Sequence, residues 1–454
     1  MASAERPGDQ PQPPASDTIA AIATAPGKGG IGVVRVSGPR VPEVARAVAG
    51  RLPEARTATR CTFRGPRGET VDEGIVLYFP APRSYTGEAV LELQGHGGPV
   101  VMHEVLSAVL DAGARLAEPG EFTRRAFLNG KLDLAQAEAV ADVIDAASRE
   151  AARSALRSLS GEFSAAVRVL VDELVELRAL TEAMLDFPEE DVDRMQRDAA
   201  AARLERIRGE LARVRRLSRQ GSLLRAGIHV VLAGRPNVGK SSLLNRLAGE
   251  ERAIVAAVPG TTRDALREPI QIGGVPLIVV DTAGLRDSAD EIERLGMERT
   301  HRELARADLA LVVVDAVDPA LPDTPLPEGV ARIVVVNKID LVAQPAPGRD
   351  ITAADAVVRV SAKTGAGIDA LRDAILESAG WRSSGETVFL ARERHLRALD
   401  EASARLEAAA LCVEEWELFA EELRLAQEAL DAIAGRVTAD DLLGEIFARF
   451  CIGK

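Results

Sequence analysis

The stretch GRPNVGKSS, residues 234–242, decides the fold of the part of the chain around it. It fits the phosphate-loop pattern G-x-x-x-x-G-K-[ST]. The apolar run at 228–233 predicts a strand before the loop, and residues 242–247 predict a helix after it. Backbone N–H groups at such a helix N-terminus point at an anion. The loop is therefore predicted to bind phosphates, with Lys240 at the β/γ-phosphates and Ser241 at Mg²⁺.

Two motifs downstream predict the rest of a phosphate and Mg²⁺ site. GTTRD begins at Gly260, and its Thr262 offers a hydroxyl to Mg²⁺ and a backbone N–H to the γ-phosphate. The apolar run 277–280 predicts a buried strand that ends in DTAG. In that motif Asp281 is a Walker-B type carboxylate, and Gly284 can approach the γ-phosphate closely.

Two further motifs predict the base that is bound. NKID follows a predicted strand at 333–336, and Asp340 can accept both N–H groups of the Watson–Crick edge of guanine, while Asn337 and Lys338 brace the ring. Adenine presents no such donor pair, so the motif selects GTP. SAK follows another strand, and the Ala362 amide can meet the guanine carbonyl. Five elements in this order predict a GTP-binding α/β domain.

The predicted GTP-binding residues all lie in these motifs and the loops beside them. They are Asn237, Val238, Gly239, Lys240, Ser241, Ser242, Ala256, Ala257, Val258, Pro259, Gly260, Thr261, Thr262, Asp281, Thr282, Ala283, Gly284, Asn337, Lys338, Ile339, Asp340, Ser361, Ala362 and Lys363.

Hydrolysis needs two further groups that the motifs do not supply directly. Leu285 follows DTAG where Ras-like proteins keep a water-orienting glutamine, and leucine cannot orient water. Acidic residues on the next segment are the alternatives, namely Asp287, Asp290, Glu291 and Glu293. Asn237 offers a neutral oxygen in the phosphate loop, and a metal ion bound there could supply the transition-state charge that an arginine finger supplies elsewhere.

Composition limits the class of protein. The chain has 454 residues, a net charge of −13 and three scattered cysteines. The length predicts about two to four domains. An acidic chain does not coat nucleic acid non-specifically, and so few cysteines exclude a disulfide framework and indicate a reducing compartment. With no apolar run of ~18 residues, we expect a cytoplasmic protein without a membrane segment.

The chain before the GTPase motifs predicts two different domains. Residues 1–16 are polar and Pro-rich and are predicted to be a disordered extension, while residues 17–130 predict an α+β domain with one helix at about 100–111. His96, in QGHGG, could be a ligand or a base, but without a second His or Cys nearby a turn histidine is favoured. The strands are predicted at 31–36, 74–78 and 90–94.

Helical periodicity governs residues 131–224 and 382–454, on either side of the module at 225–381. Each helical stretch alone would leave an apolar stripe uncovered, so one discontinuous all-α domain with the GTPase domain inserted into it is predicted. The fold class is thus multidomain α/β and α, and the inserted Ras-like P-loop domain has a mostly parallel sheet. The arginine-rich run 203–225 could be an RNA-facing surface or a solvated helix face.

Long stretches outside the GTPase motifs resemble the MnmE (TrmE) family of tRNA modification GTPases from Asp17 to Lys454. Two small departures are the Pro-rich extension before Asp17 and Ala256, which replaces a hydroxyl residue often found before GTTRD. The stretches that carry the resemblance are DTIAAIATAPGKGGIGVVRVSG (17–38), SYTGEAVLELQGHGGPV (84–100), GEFTRRAFLNGKLDLAQAEAVADVI (120–144) and the terminal FCIGK.

The resemblance implies a homodimer joined through an N-terminal domain similar to folate-binding domains. With the flavin-dependent MnmG protein, in a heterotetramer, such proteins install an aminomethyl or carboxymethylaminomethyl group on the wobble uridine of certain tRNAs, using a tetrahydrofolate derivative (5-formyl or methylene). It also implies that Glu293 orients water, acting with Lys240 and Asn237. The implied ligand sets are Arg35, Glu92, Lys131 and Lys454 for folate, Asn237, Ala256, Val258 and Thr261 for K⁺, and Ser241 and Thr262 for Mg²⁺.

Another class of function remains open at this stage. The same GTPase motifs occur in ribosome-assembly switches, where the protein is a timed binding module and hydrolysis resets it. Such a protein needs no folate domain, so folate binding distinguishes the two. Chemical reactivity and simple burial are both open for Cys451.

Overall fold

The structure of the protein is a computed structural model that describes residues 17–186, 194–249, 270–281, 307–320, 330–342, 356–381 and 388–435, with 446–447, 450 and 453. The chain forms two compact units. One contains the described residues of Met1–Ala141 and Ala434–Lys454, and the other those of Asp142–Ile433. This division is coarser than the five predicted segments, whose boundaries remain predictions.

A six-stranded sheet is the frame of the first unit. Its strand order is β3-β4-β5-β2-β1-β6, and neighbours are antiparallel except β1 and β6, which are parallel. Because side chains alternate along a strand, one face of the sheet is apolar. The strands are β1 (Ile19–Ile22), β2 (Gly32–Ser37), β3 (Thr59–Arg64), β4 (Thr70–Phe79), β5 (Val90–Gly95) and β6 (Arg115–Leu116).

Three helices accompany this sheet: α1 (Val41–Ala49), α2 (Pro99–Asp111) and α3 (Glu121–Leu128). Apolar residues of α1 and α2 pack with the sheet in one buried core. α2 was expected, whereas α1 and α3 were not. For α1 a local signal was present, because Pro42 stands in its first turn and Gly50 follows it in the left-handed region, at φ 75°.

The described residues near the C-terminus pack within the same unit. Ile446, Phe447 and Phe450 are buried against Leu134 and Ala137. Gly453 has φ +101°, and a Cβ there would lie 2.5 Å from the Ile22 carbonyl oxygen. Gly453 therefore lies against the last residue of β1.

The second unit contains the nucleotide module, whose sheet has the order β12-β11-β10-β7-β9-β8. All neighbours are parallel except β8 and β9. Parallel strands covered on both faces are continuous apolar runs, as in β10, where six of the seven residues are buried. The strands are β7 (Ile228–Ala233), β8 (Ile270–Ile272), β9 (Val275–Asp281), β10 (Leu309–Asp315), β11 (Ala331–Asn337) and β12 (Ala356–Arg359).

Helices make up most of the remainder, and the predicted fold class is confirmed. The helices at Lys240–Ala248 and Ile368–Ser378 belong to the nucleotide module. None of the described helices is long and apolar enough to cross a membrane. The helices are α4 (Leu134–Asp145), α5 (Arg149–Leu159), α6 (Glu162–Asp186), α7 (Arg194–Ala226), α8 (Lys240–Ala248), α9 (Ile368–Ser378), α10 (Glu393–Leu411) and α11 (Trp416–Ala434).

The arginine-rich helix α7 is mostly tied to the protein itself. Its apolar stripe is buried as the periodicity predicts. Many of its arginines form ion pairs, so a continuous free basic face is not present in the described part of the helix, and the solvated-face interpretation is favoured. The pairs are Arg203 with Glu176, Arg208 with Glu205, Arg213 with Glu210, Arg215 and Arg219 with Asp400, and Arg225 with Asp142.

Candidate guanine-nucleotide site

The phosphate loop joins β7 to α8 and depends on unusual backbone conformations. Gly239 has φ +96°, and a Cβ there would lie 2.4 Å from Nδ2 of Asn337, so this position needs glycine. Asn237 also has a positive φ, 65°, which asparagine tolerates. No side chain of the described residues caps α8. The N–H groups of its first turn therefore remain available to an anion.

Lys240 folds back over this loop. Its Nζ donates to the carbonyl oxygens of Gly234 at 2.8 Å and Arg235 at 3.2 Å. These bonds hold the ammonium where a phosphate-loop lysine meets the β/γ-phosphates. Ser241 and Ser242 are exposed in the first turn of α8. Arg235 is a second exposed cation in the loop, and the sequence reasoning overlooked it.

Asn337, at the end of β11, connects the phosphate loop to the predicted base loop. Its side chain is buried, at 1% exposure. Nδ2 donates to the Val238 carbonyl oxygen at 2.8 Å, and Oδ1 accepts from the Ala362 N–H at 3.0 Å. The Ala362 N–H was predicted to bind the guanine carbonyl, but it already donates to Asn337. A bound guanine would therefore share this N–H with Asn337. Asp340 accepts a hydrogen bond from Ser361 Oγ at 2.6 Å, which orients its carboxylate.

Lys338 makes a second connection between the two loops. It lies in the left-handed region at φ 65°, and its Nζ donates to the Asn237 carbonyl oxygen and to Asp315 Oδ2, both at 2.7 Å. Burial by itself raises the pKa of the Asp315 carboxyl, but hydrogen bonds from Lys338 and from the Val317 N–H outweigh it and lower that pKa below its usual value. Asp315 belongs to none of the predicted motifs.

Many predicted residues on the γ-phosphate side lie outside the described residues. Asp281 is described only as the last residue of β9. Those outside are Ala256, Ala257, Val258, Pro259, Gly260, Thr261, Thr262, Thr282, Ala283, Gly284, Asp287, Asp290, Glu291 and Glu293. Cys451 and Lys454, near the C-terminus, also lie outside the described residues.

The first unit holds the cluster of the implied folate residues. Arg35 and Glu92 lie opposite each other on β2 and β5, and the guanidinium donates to Glu92 Oε1 at 2.9 and 3.1 Å. The Arg35 Cζ lies 5.4 Å from the ring centroid of Tyr85 and 5.8 Å from that of Phe122. Tyr85 OH forms a hydrogen bond with Thr123 Oγ1 at 2.8 Å. The two predicted residues therefore bind each other, next to two aromatic rings that the sequence reasoning missed.

Lys131 reaches the same neighbourhood through a loop. It is exposed, and its side chain packs beside Gly87, where a Cβ would lie 3.3 Å from Lys131 Cγ. Asn129 Nδ2 donates to the Thr86 carbonyl oxygen at 2.8 Å. Both contacts fasten the segment that carries Tyr85.

A charge network supports this region. Arg125 pairs with Asp17, Glu88 and Glu121, and Arg115 pairs with Asp17 and Glu121. Burial raises the pKa of Glu121, but hydrogen bonds from Arg115, the Glu118 N–H and Arg125 outweigh it, and the pKa lies below the usual 4.5. Asp17 and Glu88 lie 108 and 37 residues from Arg125 in the sequence, so no local motif indicated the whole network.

His96 has one clear partner. Its Nδ1 lies 2.7 Å from Asp72 Oδ1, and its backbone N–H donates to Oδ2 at 2.8 Å. No cluster of three His, Cys, Asp or Glu suited to a metal occurs in the described ranges. The pair fixes the QGHGG turn to β4, as a turn histidine would.

The mostly parallel sheet, the glycine-dependent phosphate loop and the Asn337–Asp340 element together define a P-loop GTPase. Comparison with protein-family models matches residues 134–451 to the MnmE helical domain and residues 18–131 to the N-terminus of the GTP-binding protein TrmE. The chain therefore belongs to the MnmE (TrmE) family, which confirms the resemblance seen in the sequence.

Individual relatives agree with this assignment over nearly the whole chain. The chain is 61% identical over 450 residues to the tRNA modification GTPase MnmE of Azoarcus sp. (strain BH72), covering 98% of this chain and 99% of that protein. It is 59% identical over 454 residues to the protein of the same name from Thiobacillus denitrificans, again covering 98% and 99%. The G domain of the T. maritima FeoB iron transporter is 26% identical, covering 34% of this chain and 98% of that one at a TM-score of 0.24, and the assignment does not rest on it.

Proposed function

We propose that this chain binds and hydrolyses GTP as part of the modification of the wobble uridine of certain tRNAs. The observation that carries the proposal is the side chain of Asn337, which bonds both Val238 of the phosphate loop and Ala362 of the base loop. One buried amide thus sets the distance between the phosphate and base ends of a guanine nucleotide. The relatives named above, which are tRNA modification GTPases, support the tRNA substrate.

Two measurements test this function at different levels. Equilibrium titration of the purified chain with GDP and ADP should show saturable binding of GDP only, because adenine offers Asp340 no paired donors. Mass analysis of wobble uridines from cells lacking the protein should show loss of an aminomethyl or carboxymethylaminomethyl group. If the wobble uridines are unchanged and GDP binding is normal, the protein is a GTPase with another function, such as a ribosome-assembly switch.

The hydrolytic step is proposed to need two metal ions. Ser241 is exposed in the first turn of α8 and would hold Mg²⁺ with Thr262, which lies outside the described residues. The Asn237 side chain is exposed and has no hydrogen-bond partner among the described residues, so its oxygen is free for K⁺. Ala256, Val258 and Thr261 would complete that K⁺ site. Glu293 is proposed to orient the attacking water.

Potassium should accelerate GTP hydrolysis far more than sodium at equal ionic strength, since a ring of oxygens selects an ion by cavity size and ligand number. Asn237→Ala should remove the potassium response and leave GDP affinity nearly unchanged. Equal rates in the two salts, or a potassium response unaffected by Asn237→Ala, would mean that another positive group stabilises the transition state. The exposed Arg235, two residues before Asn237, is the first candidate.

The first unit is proposed to bind a tetrahydrofolate derivative as the one-carbon donor. Within the described residues, Glu92 Oε2 has no hydrogen-bond partner, which leaves it free for the N–H donors of a pterin. The rings of Tyr85 and Phe122 suit a flat heteroaromatic group. Gly453 packs on Ile22, beside the strand that carries Arg35, which supports a role for Lys454 at this site.

The proposed partners follow from the family. We infer a homodimer through the first unit, a heterotetramer with the FAD-dependent MnmG protein, and a cytoplasmic location. Size-exclusion chromatography with light scattering, with and without MnmG, tests the first two. A monomer at micromolar concentration would contradict the dimer.

A further inference from the structure

Arg246 lies outside every nucleotide-binding motif but contacts the predicted base loop directly. It stands in the last turn of α8, and its Nε donates to the Ala362 carbonyl oxygen at 3.2 Å. Its Nη2 donates to the Lys363 carbonyl oxygen at 2.9 Å. The guanidinium also packs over Gly365, where a Cβ would lie 3.6 Å from Cζ. Two charge-assisted bonds therefore hold this loop from its carbonyl side.

The loop held by Arg246 in turn orients the residue that recognises the base. Ser361, the neighbour of Ala362, donates from Oγ to Asp340 Oδ1 at 2.6 Å and accepts from the Thr364 N–H at 3.1 Å. Asn337 holds the N–H side of the same loop at Ala362. Movement of the loop would therefore move the Ser361 hydroxyl away from Asp340.

α8 is a rigid connection between the two ends of the site. Lys240 begins the helix, and Arg246 lies six residues later, about 9 Å along the axis at ~1.5 Å per residue. Leu243 and Leu247 are fully buried and anchor the helix in the core of the module. The helix that presents its N-terminus to the phosphates thus also fixes the base loop.

We propose that Arg246 is a positioning residue for guanine recognition, acting through Ser361 on Asp340. The inference rests on the proposed guanine site. It applies to affinity and base selection and not to the hydrolytic step, because the bonds that Arg246 donates end on main-chain carbonyls of the base loop.

The test compares GDP with inosine diphosphate, which lacks the 2-amino group that Asp340 is predicted to bind. Arg246→Ala should lower GDP affinity about 10-fold, the loss expected for charge-assisted hydrogen bonds. It should also reduce the preference for GDP over inosine diphosphate several-fold, with kcat at saturating GTP unchanged. Arg246→Lys, which keeps the charge and one donor group, should recover part of that preference.

A control is Arg208→Ala, in α7 of the same unit, where the arginine pairs with Glu205 of its own helix. It should change neither affinity nor base preference. If Arg246→Ala lowers only the melting temperature and keeps the GDP preference, the positioning role is wrong. If Arg246→Ala does not fold, Arg246→Lys provides the test. A lysine variant that binds GDP more weakly but keeps the full wild-type preference for GDP over inosine diphosphate would also contradict the positioning role.

Failure of the proposed function has a different outcome. If the wild-type chain binds GDP and inosine diphosphate equally, or if Asp340→Asn leaves GDP binding intact, the guanine site itself is misassigned. If Asp340→Asn abolishes GDP binding while Arg246→Ala behaves as wild type, only the role of Arg246 is overturned.

Discussion

The nucleotide site is built in a different way from the group of Arg35, Glu92, Tyr85 and Phe122 in the first unit, the Arg35 cluster. At the nucleotide site, most of the bonds between the loops end on main-chain atoms, as when Lys240 binds the Gly234 carbonyl and Lys338 binds the Asn237 carbonyl. In the Arg35 cluster the bonds join side chains, as between Arg35 and Glu92 across two strands.

This difference determines how each region responds to mutation. A site made of main-chain atoms needs particular φ values and close approach, so a single added methyl group can destroy it. A site made of side chains is held by sheet register and packing, so one substitution removes one function and leaves the scaffold. Mutations in the two regions should therefore differ in size, with the largest loss at the phosphate loop.

Gly239→Ala should reduce affinity for GDP by about 1,000-fold or more, because the φ of +96° is strained for alanine and the Cβ would also lie 2.4 Å from Asn337 Nδ2. Isothermal titration measures the loss, and circular dichroism checks the fold. Gly209→Ala is the control, since a Cβ there meets nothing within 4 Å. Near-normal GDP binding by Gly239→Ala would show that main-chain geometry is not decisive.

Asp340→Asn should weaken GTP binding by ~3 kcal/mol or more, because one acceptor becomes a donor that faces a donor of guanine. Xanthosine triphosphate should gain affinity in the same variant, since xanthine carries a carbonyl oxygen, an acceptor, where guanine carries its 2-amino group. Competition titration with both nucleotides measures the exchange. An unchanged preference for GTP would show that Asp340 does not recognise guanine.

Arg35→Ala should weaken binding of 5-formyltetrahydrofolate by about 10-fold or more, while GTP hydrolysis remains at the wild-type rate. The loss is expected because Glu92 would keep a half-buried charge without its partner. Arg60→Ala on β3 is the control, as that arginine is 84% exposed in its pair with Glu73. Folate affinity that survives in Arg35→Ala would place the site elsewhere.

The smallest effect concerns pH. The pKa of Glu121 is lowered in the folded protein, so its contribution to stability is present above the usual 4.5 and is lost as pH falls through the folded pKa. Glu121→Gln should therefore lower the melting temperature near neutral pH, by ~2–4 °C for each kcal/mol lost, and the gap to wild type should close in acid. A gap that is constant from neutral to acid pH would mean that the charge of Glu121 does not stabilise the fold.

Much of the nucleotide module could be predicted from local sequence. The predicted strand at 228–233 coincides with β7, and the predicted strands at 277–280 and 333–336 lie within β9 and β11. Such runs are visible because a buried parallel strand is apolar at every position. The motifs between them are contiguous because loops that bind through main-chain atoms are specified by adjacent residues.

The sequence by itself determined the class of fold and the P-loop motifs, since glycine positions and apolar periodicity are local properties. Only the tertiary structure decided that Arg35 pairs with Glu92, 57 residues away, because strand register sets that contact. It also decided that Arg246 holds the base loop, and that the described residues of 434–454 form one compact unit with those of 17–141. Long-range contacts of this kind depend on packing between elements, which no short stretch of sequence records.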